Sequence, residues 1–168
     1  MKGYNFKGSV SATDFNPDQW LNQISGVSGI GFKLDVDGVW DGNKAVTALL
    51  VGNISQFEMN GYTFQHLSVN GRATENRFDG SLNLRDTNAI LDLTGSFDFG
   101  RKKPVLDFNL LISRANLYAL NLVKNDTIAN LKVDMHGSFT GDAIDDIDGE
   151  IKVKNSSYTN SNGTLPVT

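Results

Sequence analysis

The feature that most constrains this chain is strict two-residue alternation. Phe32-Lys33-Leu34-Asp35-Val36-Asp37-Gly38-Val39-Trp40 puts apolar groups and glycine on even positions and charges between them. Phe78 to Leu84, Leu91 to Phe99, Leu106 to Leu110 and Leu131 to Phe139 repeat the pattern, and Ile151-Lys152-Val153-Lys154 is a shorter case. Successive side chains of a strand point to opposite faces, so each of these strands has one oily face and one wet face. Antiparallel sheets with one solvated face read this way, whereas buried parallel strands read as continuous apolar runs. Turn signals separate the runs: Asp41-Gly42-Asn43-Lys44, Asn60-Gly61, Thr74-Glu75-Asn76 and Arg85-Asp86-Thr87-Asn88. Roughly nine to eleven strands are expected.

Two segments break the pattern. Asn16 to Ile24 carries an Asn cap, Pro17 at the first helical position and an early Asp18, and reads as a short helix. Ala115 to Leu120 reads as one helical turn at most. The expected fold is therefore all-β: a mostly antiparallel, one-sided amphipathic sheet with one or two short helices. Such a sheet either folds over into an open groove or forms a β-sandwich, since both need the same alternation. Phe32 to Gly42 is echoed by Leu131 to Gly141, with both glycines and the central Lys and Asp in step. A repeated strand-turn unit suits a linear stack of strands.

Composition narrows the function. Apolar residues are 39% of the 168, low for a thick core, and glycines number 17. The net charge of −4 argues against nucleic acid as a partner, which calls for a basic face. Without cysteine there is no disulfide and no thiolate site. No run reaches the ~18–20 apolar residues of a membrane helix. The ends, alternating from Tyr4 and stopping at Gly163 to Thr168 as a strand begins, read as cuts from a larger protein. Residues 1–168 are taken as a single β domain.

No motif points to catalysis. Gly26 to Gly31 lacks the G-x-G-x-x-G spacing and reads as a flexible entry to the next strand. The acids between Asp142 and Glu150 miss the EF-hand pattern at Ile144 and Asn155, and read as a solvated turn. His66 and His136 lack metal-ligand spacing. No catalytic residue, metal ligand or cofactor is assigned. The charged positions Lys33, Asp35, Asp37, Asp92, Asp98, Lys132 and Asp134 are expected on the solvated face. The apolar set expected to share one interior is Leu34, Val36, Leu82, Leu84, Leu91, Leu93, Phe97, Phe99, Leu106, Phe108, Leu110, Leu131, Val133, Met135, Ile151 and Val153. Gly38, Gly80, Gly95 and Gly137 interrupt that face and are expected to let the sheet bend and to leave room along it.

Four stretches carry a family resemblance: Phe78 to Phe99 (FDGSLNLRDTNAILDLTGSFDF), Pro104 to Leu122 (PVLDFNLLISRANLYALNL), Gly137 to Gly141 (GSFTG) and Asp145 to Val153 (DDIDGEIKV). Together they resemble the C-terminal region of the TamB family, especially its Bacteroidetes-type members, within the AsmA-like superfamily. The Asn16 to Ile24 segment departs from that pattern. The resemblance implies a periplasmic protein anchored in the inner membrane and reaching an Omp85-type outer-membrane partner. It implies a β-taco, a long sheet folded along its length around an apolar groove. It also implies outer-membrane biogenesis: passage of phospholipid or another acyl-chain ligand between membranes, or support of outer-membrane protein assembly. The residues alone also allow two other readings. One is a scaffold whose sheet edges pair with nascent strands. The other is a β-sandwich adhesin or carbohydrate-binding module, for which Trp40, Tyr62 and Tyr158 are the available aromatics.

Overall fold

A computed structural model describes residues 3–15, 27–40, 42, 46–141 and 148–167. They form one antiparallel sheet that does not close. Its strands are β1 (Tyr4–Phe15), β2 (Val27–Trp40), β3 (Val46–Met59), β4 (Tyr62–Phe64), β5 (Leu67–Ala73), β6 (Arg77–Arg85), β7 (Ala89–Asp98), β8 (Val105–Asn116), β9 (Asn130–Thr140), β10 (Asp148–Asn160) and β11 (Gly163–Val167). Neighbours in sequence are neighbours in the sheet, and the short β4 extends the β5 side of β3. This meander follows from the turns. Asn60 and Gly61 both have positive φ (52° and 72°), the pairing a two-residue hairpin turn requires. The β5–β6 turn closes with Thr74 N–H donating to the Arg77 carbonyl at 2.8 Å.

No helix occurs among the described residues, and of the Ala115 to Leu120 reading only a single turn remains. Ala115 and Asn116 end β8, and the chain then makes a single turn in which Leu120 N–H donates to the Asn116 carbonyl at 3.0 Å. The Asn116 side chain accepts from Ala119 N–H at 3.0 Å, which satisfies the turn locally. The Asn16 to Ile24 segment lies outside the described residues. The glycine-rich stretch is strand rather than loop from Val27 onward, because Gly29, Ile30 and Gly31 pair with Glu58, Phe57 and Gln56. Asp148 and Glu150 of the acidic cluster are also strand, in β10.

All but one of the register irregularities among the described residues fall at one level across the sheet, the exception being on β2 between Val27 and Gly29. The others lie just past Ala12 on β1, between Ile54 and Gln56 on β3, at the Gln65–His66 break between β4 and β5, between Ile112 and Ala115 on β8, and between Lys154 and Ser157 on β10. An extra residue bends a strand and increases its local twist. Collinear bulges therefore bend the sheet along a line that crosses the strands. At the β10 bulge Asn155 takes a positive φ of 47°, and the buried Ser156 hydroxyl repairs the ladder. It accepts from Asp134 N–H and donates to the Lys154 carbonyl, both at 2.9 Å.

Straddling that line is the one compact core among the described residues: Phe64, Leu84, Ala89, Ala115 and Leu120, with Phe57, Met59, Tyr62, Leu67, Leu91, Ile112, Leu117 and Leu131 packed on it. A polar clasp closes it. The carboxylate of Asp86, 5% exposed, accepts from the Tyr62 hydroxyl at 2.5 Å, Asn88 N–H at 2.8 Å and Gln65 N–H at 2.9 Å. Burial pushes the Asp86 carboxyl up, but these donors, with help from His66, outweigh it and hold it below the usual carboxylate range. Burial, reinforced by the bond to Asp86, pushes the Tyr62 hydroxyl up.

Asp86→Asn keeps the size but loses the charge-assisted bonds, so it should lower stability at neutral pH by ~1.5–3 kcal/mol. Because the folded-state pKa is depressed, the stabilisation is present in full above the unfolded value of ~3.9 and is lost as pH falls through the folded value. Urea titrations of both proteins should therefore differ at pH 7 and converge in strong acid. A constant difference across that range would show that the carboxylate charge does not hold the clasp.

Candidate functional site

Directly opposed residues on neighbouring strands share a face, so the pairings assemble the apolar side row by row. The central row runs Val10, Leu34, Gly52, Val69, Leu82, Leu93, Leu110, Met135, Val153 from β1 to β10. Beside it, toward the bulge line, run Ala12, Phe32, Ile54, Leu67, Leu84, Leu91, Ile112 and Val133. On the other side come Gly8, Val36, Leu50, Gly71, Gly80, Gly95, Phe108, Gly137 and Ile151, and then Phe6, Gly38, Ala48, Ala73, Phe78, Phe97, Leu106, Phe139 and Gly149. No ionisable side chain enters these rows.

The register thus brings together almost the whole expected apolar set. Leu34, Val36, Leu82, Leu84, Leu91, Leu93, Phe97, Leu106, Phe108, Leu110, Val133, Met135, Ile151 and Val153 occupy the rows. Leu131 lies on the same face beyond the bulge line, opposite Ala115 and Tyr158. Phe99 falls outside: it follows the last residue of β7 and is 60% exposed. Ile54, Leu67, Val69 and Ile112 join the face unforeseen. The β3 run Ala48-Leu49-Leu50-Val51 does not alternate, and the β8 bulge breaks period two after Ile112. Trp40, Tyr62 and Tyr158, the aromatics named for a sugar-binding site, also fall on this apolar face.

The face is neither filled nor bare. Most row residues are half-buried, and no large side chain among the described residues is fully buried. Among the described residues, substantial contacts run only between sheet neighbours, and no second layer of strands covers the rows. At the two edges Val10 is 53% and Ile151 58% exposed. Among the described residues this face is therefore only half-covered.

The glycines do not leave the room expected of them. A β-carbon on Gly38 would meet the Phe6 ring at 2.3 Å, and one on Gly137 the Phe108 ring at 2.8 Å. On Gly71 or Gly80 it would meet the Phe78 ring at 2.6 or 2.7 Å. Phenylalanine rings therefore lie over glycines of the neighbouring strand, and Phe78 also over Gly80 of its own strand, and cover backbone that would otherwise be wet. Phe97 stacks on Phe108 at 6.2 Å, and Phe108 meets Phe139 edge-on at 5.9 Å. The echoed strands β2 and β9 use one device: each receives on its glycine a phenylalanine from the strand before it, Phe6 or Phe108.

The opposite face is polar. Lys33, Asp35, Asp37 and Lys132 are exposed as expected; Asp92, Asp98 and Asp134 are half-buried. Arg85 covers Asp92 at 2.5 Å and Arg101 covers Asp98 at 2.9 Å, while Asp134 sits beside the Ser156 bulge. Val39, Leu49, Val51 and Leu111 share this face and are exposed. His136 lies here too, with Nδ1 3.2 Å from the Asn109 side-chain oxygen.

Gly80→Ala should cost ~1–3 kcal/mol, because its β-carbon would lie 2.5 Å from the Asn70 carbonyl and 2.7 Å from the Phe78 ring. Gly8→Ala in the same row meets nothing within 4 Å and should be neutral or stabilising. Thermal melts of the pair check this. Equal losses would mean the rings do not depend on the glycines.

No family model, curated protein or solved structure matches this chain.

Proposed function

We propose that the chain is a segment of a periplasmic outer-membrane biogenesis protein of the TamB type, whose apolar trough shields phospholipid acyl chains between the inner and outer membranes. The parent would be anchored in the inner membrane and reach an Omp85-type outer-membrane partner. The observation that carries this reading is the set of rows without an ionisable side chain, running from one sheet edge to the other and left half-covered. An acyl chain gains ~0.8 kcal/mol per CH₂ on burial and needs no directional partner. Generic Leu, Val and Phe lining is therefore sufficient, and it suits a face that holds chains without selecting among them. Aromatic rings lying over glycines make that lining smooth, and the charges stay on the other side of the sheet. The family resemblance in Phe78 to Val153 supplies the biological setting.

Leu93 sits mid-row, between Leu82 and Leu110. Mass spectrometry of the purified chain, after incubation with phosphatidylethanolamine vesicles, should find bound phospholipid. Leu93→Asp should reduce it at least tenfold, while Thr94→Asp, its exposed neighbour, should leave it unchanged. The melting temperature of Leu93→Asp should fall only modestly, because a half-covered face admits water to the new carboxylate. A wild-type chain that takes up no lipid, or a Leu93→Asp chain that keeps its full load, would overturn this reading.

A further inference from the structure

The end of the sheet that carries the Asn60-Gly61 turn also carries the loop joining β8 to β9. Between turn and loop lies a cavity of about 770 Å³, lined by Asn60, Tyr118, Ala119, Asn121, Val123 and Lys124. Its walls are held by the chain itself. Leu120, 3% exposed, anchors the loop in the core. The Leu117 carbonyl accepts from Leu122 N–H at 2.8 Å and from Val123 N–H at 3.1 Å. Asn60 and Asn121 both take left-handed backbone, with φ of 52° and 61°, a conformation asparagine tolerates. The Asn121 side-chain amide donates to the Asn60 carbonyl at 3.2 Å and ties loop to turn. A site fixed in this way loses little freedom when a ligand enters it.

The polar groups of the cavity are not used up. Among the described residues, the Asn60 side chain, the Tyr118 hydroxyl and the Lys124 ammonium make no hydrogen bond or ion pair. Asp126, the acid closest to Lys124 along the chain, accepts instead from Ile128 N–H at 3.1 Å and Ser161 N–H at 2.7 Å. Tyr118 is 43% exposed.

These residue types together suit one class of ligand. A side-chain amide both donates and accepts, as neighbouring hydroxyls require, and a tyrosine ring offers an apolar face with a polar tip. A single ammonium matches a single carboxylate. An acyl chain would leave these polar groups unpaired, and a polyanion would find one cation among the lining residues where it needs several. We propose that the cavity is a binding site for a short acidic saccharide, with a carboxylate on a sugar ring. The C–H face of the ring stacks on Tyr118, its hydroxyls bond the Asn60 and Asn121 amides, and its carboxylate pairs with Lys124. Trp40, Tyr62 and Tyr158 take no part. The site lies outside the apolar rows and does not rest on the lipid reading.

NMR titration of the whole chain tests this, with acidic disaccharides of gluco, galacto and manno configuration and their neutral counterparts as probes. At least one acidic disaccharide should bind with millimolar affinity, as an open site with a few contacts implies. It should shift the amide signals of Asn60, Gly61 and the loop from Leu117 to Lys124. The neutral counterpart should bind at least fivefold more weakly. Tyr118→Ala should abolish binding of both. Lys124→Gln should remove the difference between the two sugars, and added salt should narrow it in the wild type. Asn60→Gly keeps the left-handed backbone but loses the amide, and should weaken binding at least threefold. Circular dichroism checks the fold of each variant, since all three positions are exposed. A chain that responds to none of the sugars, shifts that survive Tyr118→Ala, or an equal response to inorganic phosphate would each overturn the proposal.

Discussion

Everything in this sheet depends on cross-strand register. Each strand alone is only a two-faced ribbon, and its oily side becomes a surface when its neighbours are in step. The pairings hold that step from Val10 to Val153, so a row of side chains forms that no single strand contains. The alternative is costly, because a slip of one residue would move every apolar group of a strand into water. Extra residues are therefore absorbed mostly at one level. Past Ile54, Ile112 and Lys154 the strands bulge together, and the rows on the near side stay in phase.

Around the bulge line the chain builds a conventional small core, with Leu120 only 3% exposed and the Asp86 clasp tying the β4–β5 break to the β6–β7 turn. Farther from the line no such cluster occurs among the described residues, and there the ladder hydrogen bonds are joined by side chains lying along the sheet. Phenylalanine over glycine serves this purpose. A ring laid over a glycine buries apolar area within one layer, and a β-carbon there would fill the space the ring occupies. A layer stabilised in this way has no need of a second layer. That is the condition under which an apolar face can stay available to a ligand.

The proposed function rests on how chemistry is sorted between the two faces. The rows carry no ionisable group and are lined by Leu, Val, Ile and Phe, while charge is left to the other face. Alternation along each strand does the sorting, and register across the strands makes it continuous.

Much of this was legible in the residues. Alternation in β2, β6, β7, β9 and β10 predicts the strands, their faces and most of the apolar set. Asn60-Gly61 predicts its hairpin, because positive φ is cheap for those residues. Alternation failed where period two is broken locally: in β3, where Leu49, Leu50 and Val51 run together, and in β8, where Ser113 and Arg114 fill a bulge. It also misplaced Phe99, since period two does not say where a strand ends. By itself, then, the sequence determined that each strand is amphipathic and which side is oily, because side-chain alternation is a property of one extended chain. Tertiary structure alone decided which rows align, where the sheet bends, that phenylalanines cover the glycines, and that Asp86 is a buried clasp rather than a turn residue. These depend on groups from different strands meeting at distances that no single strand encodes.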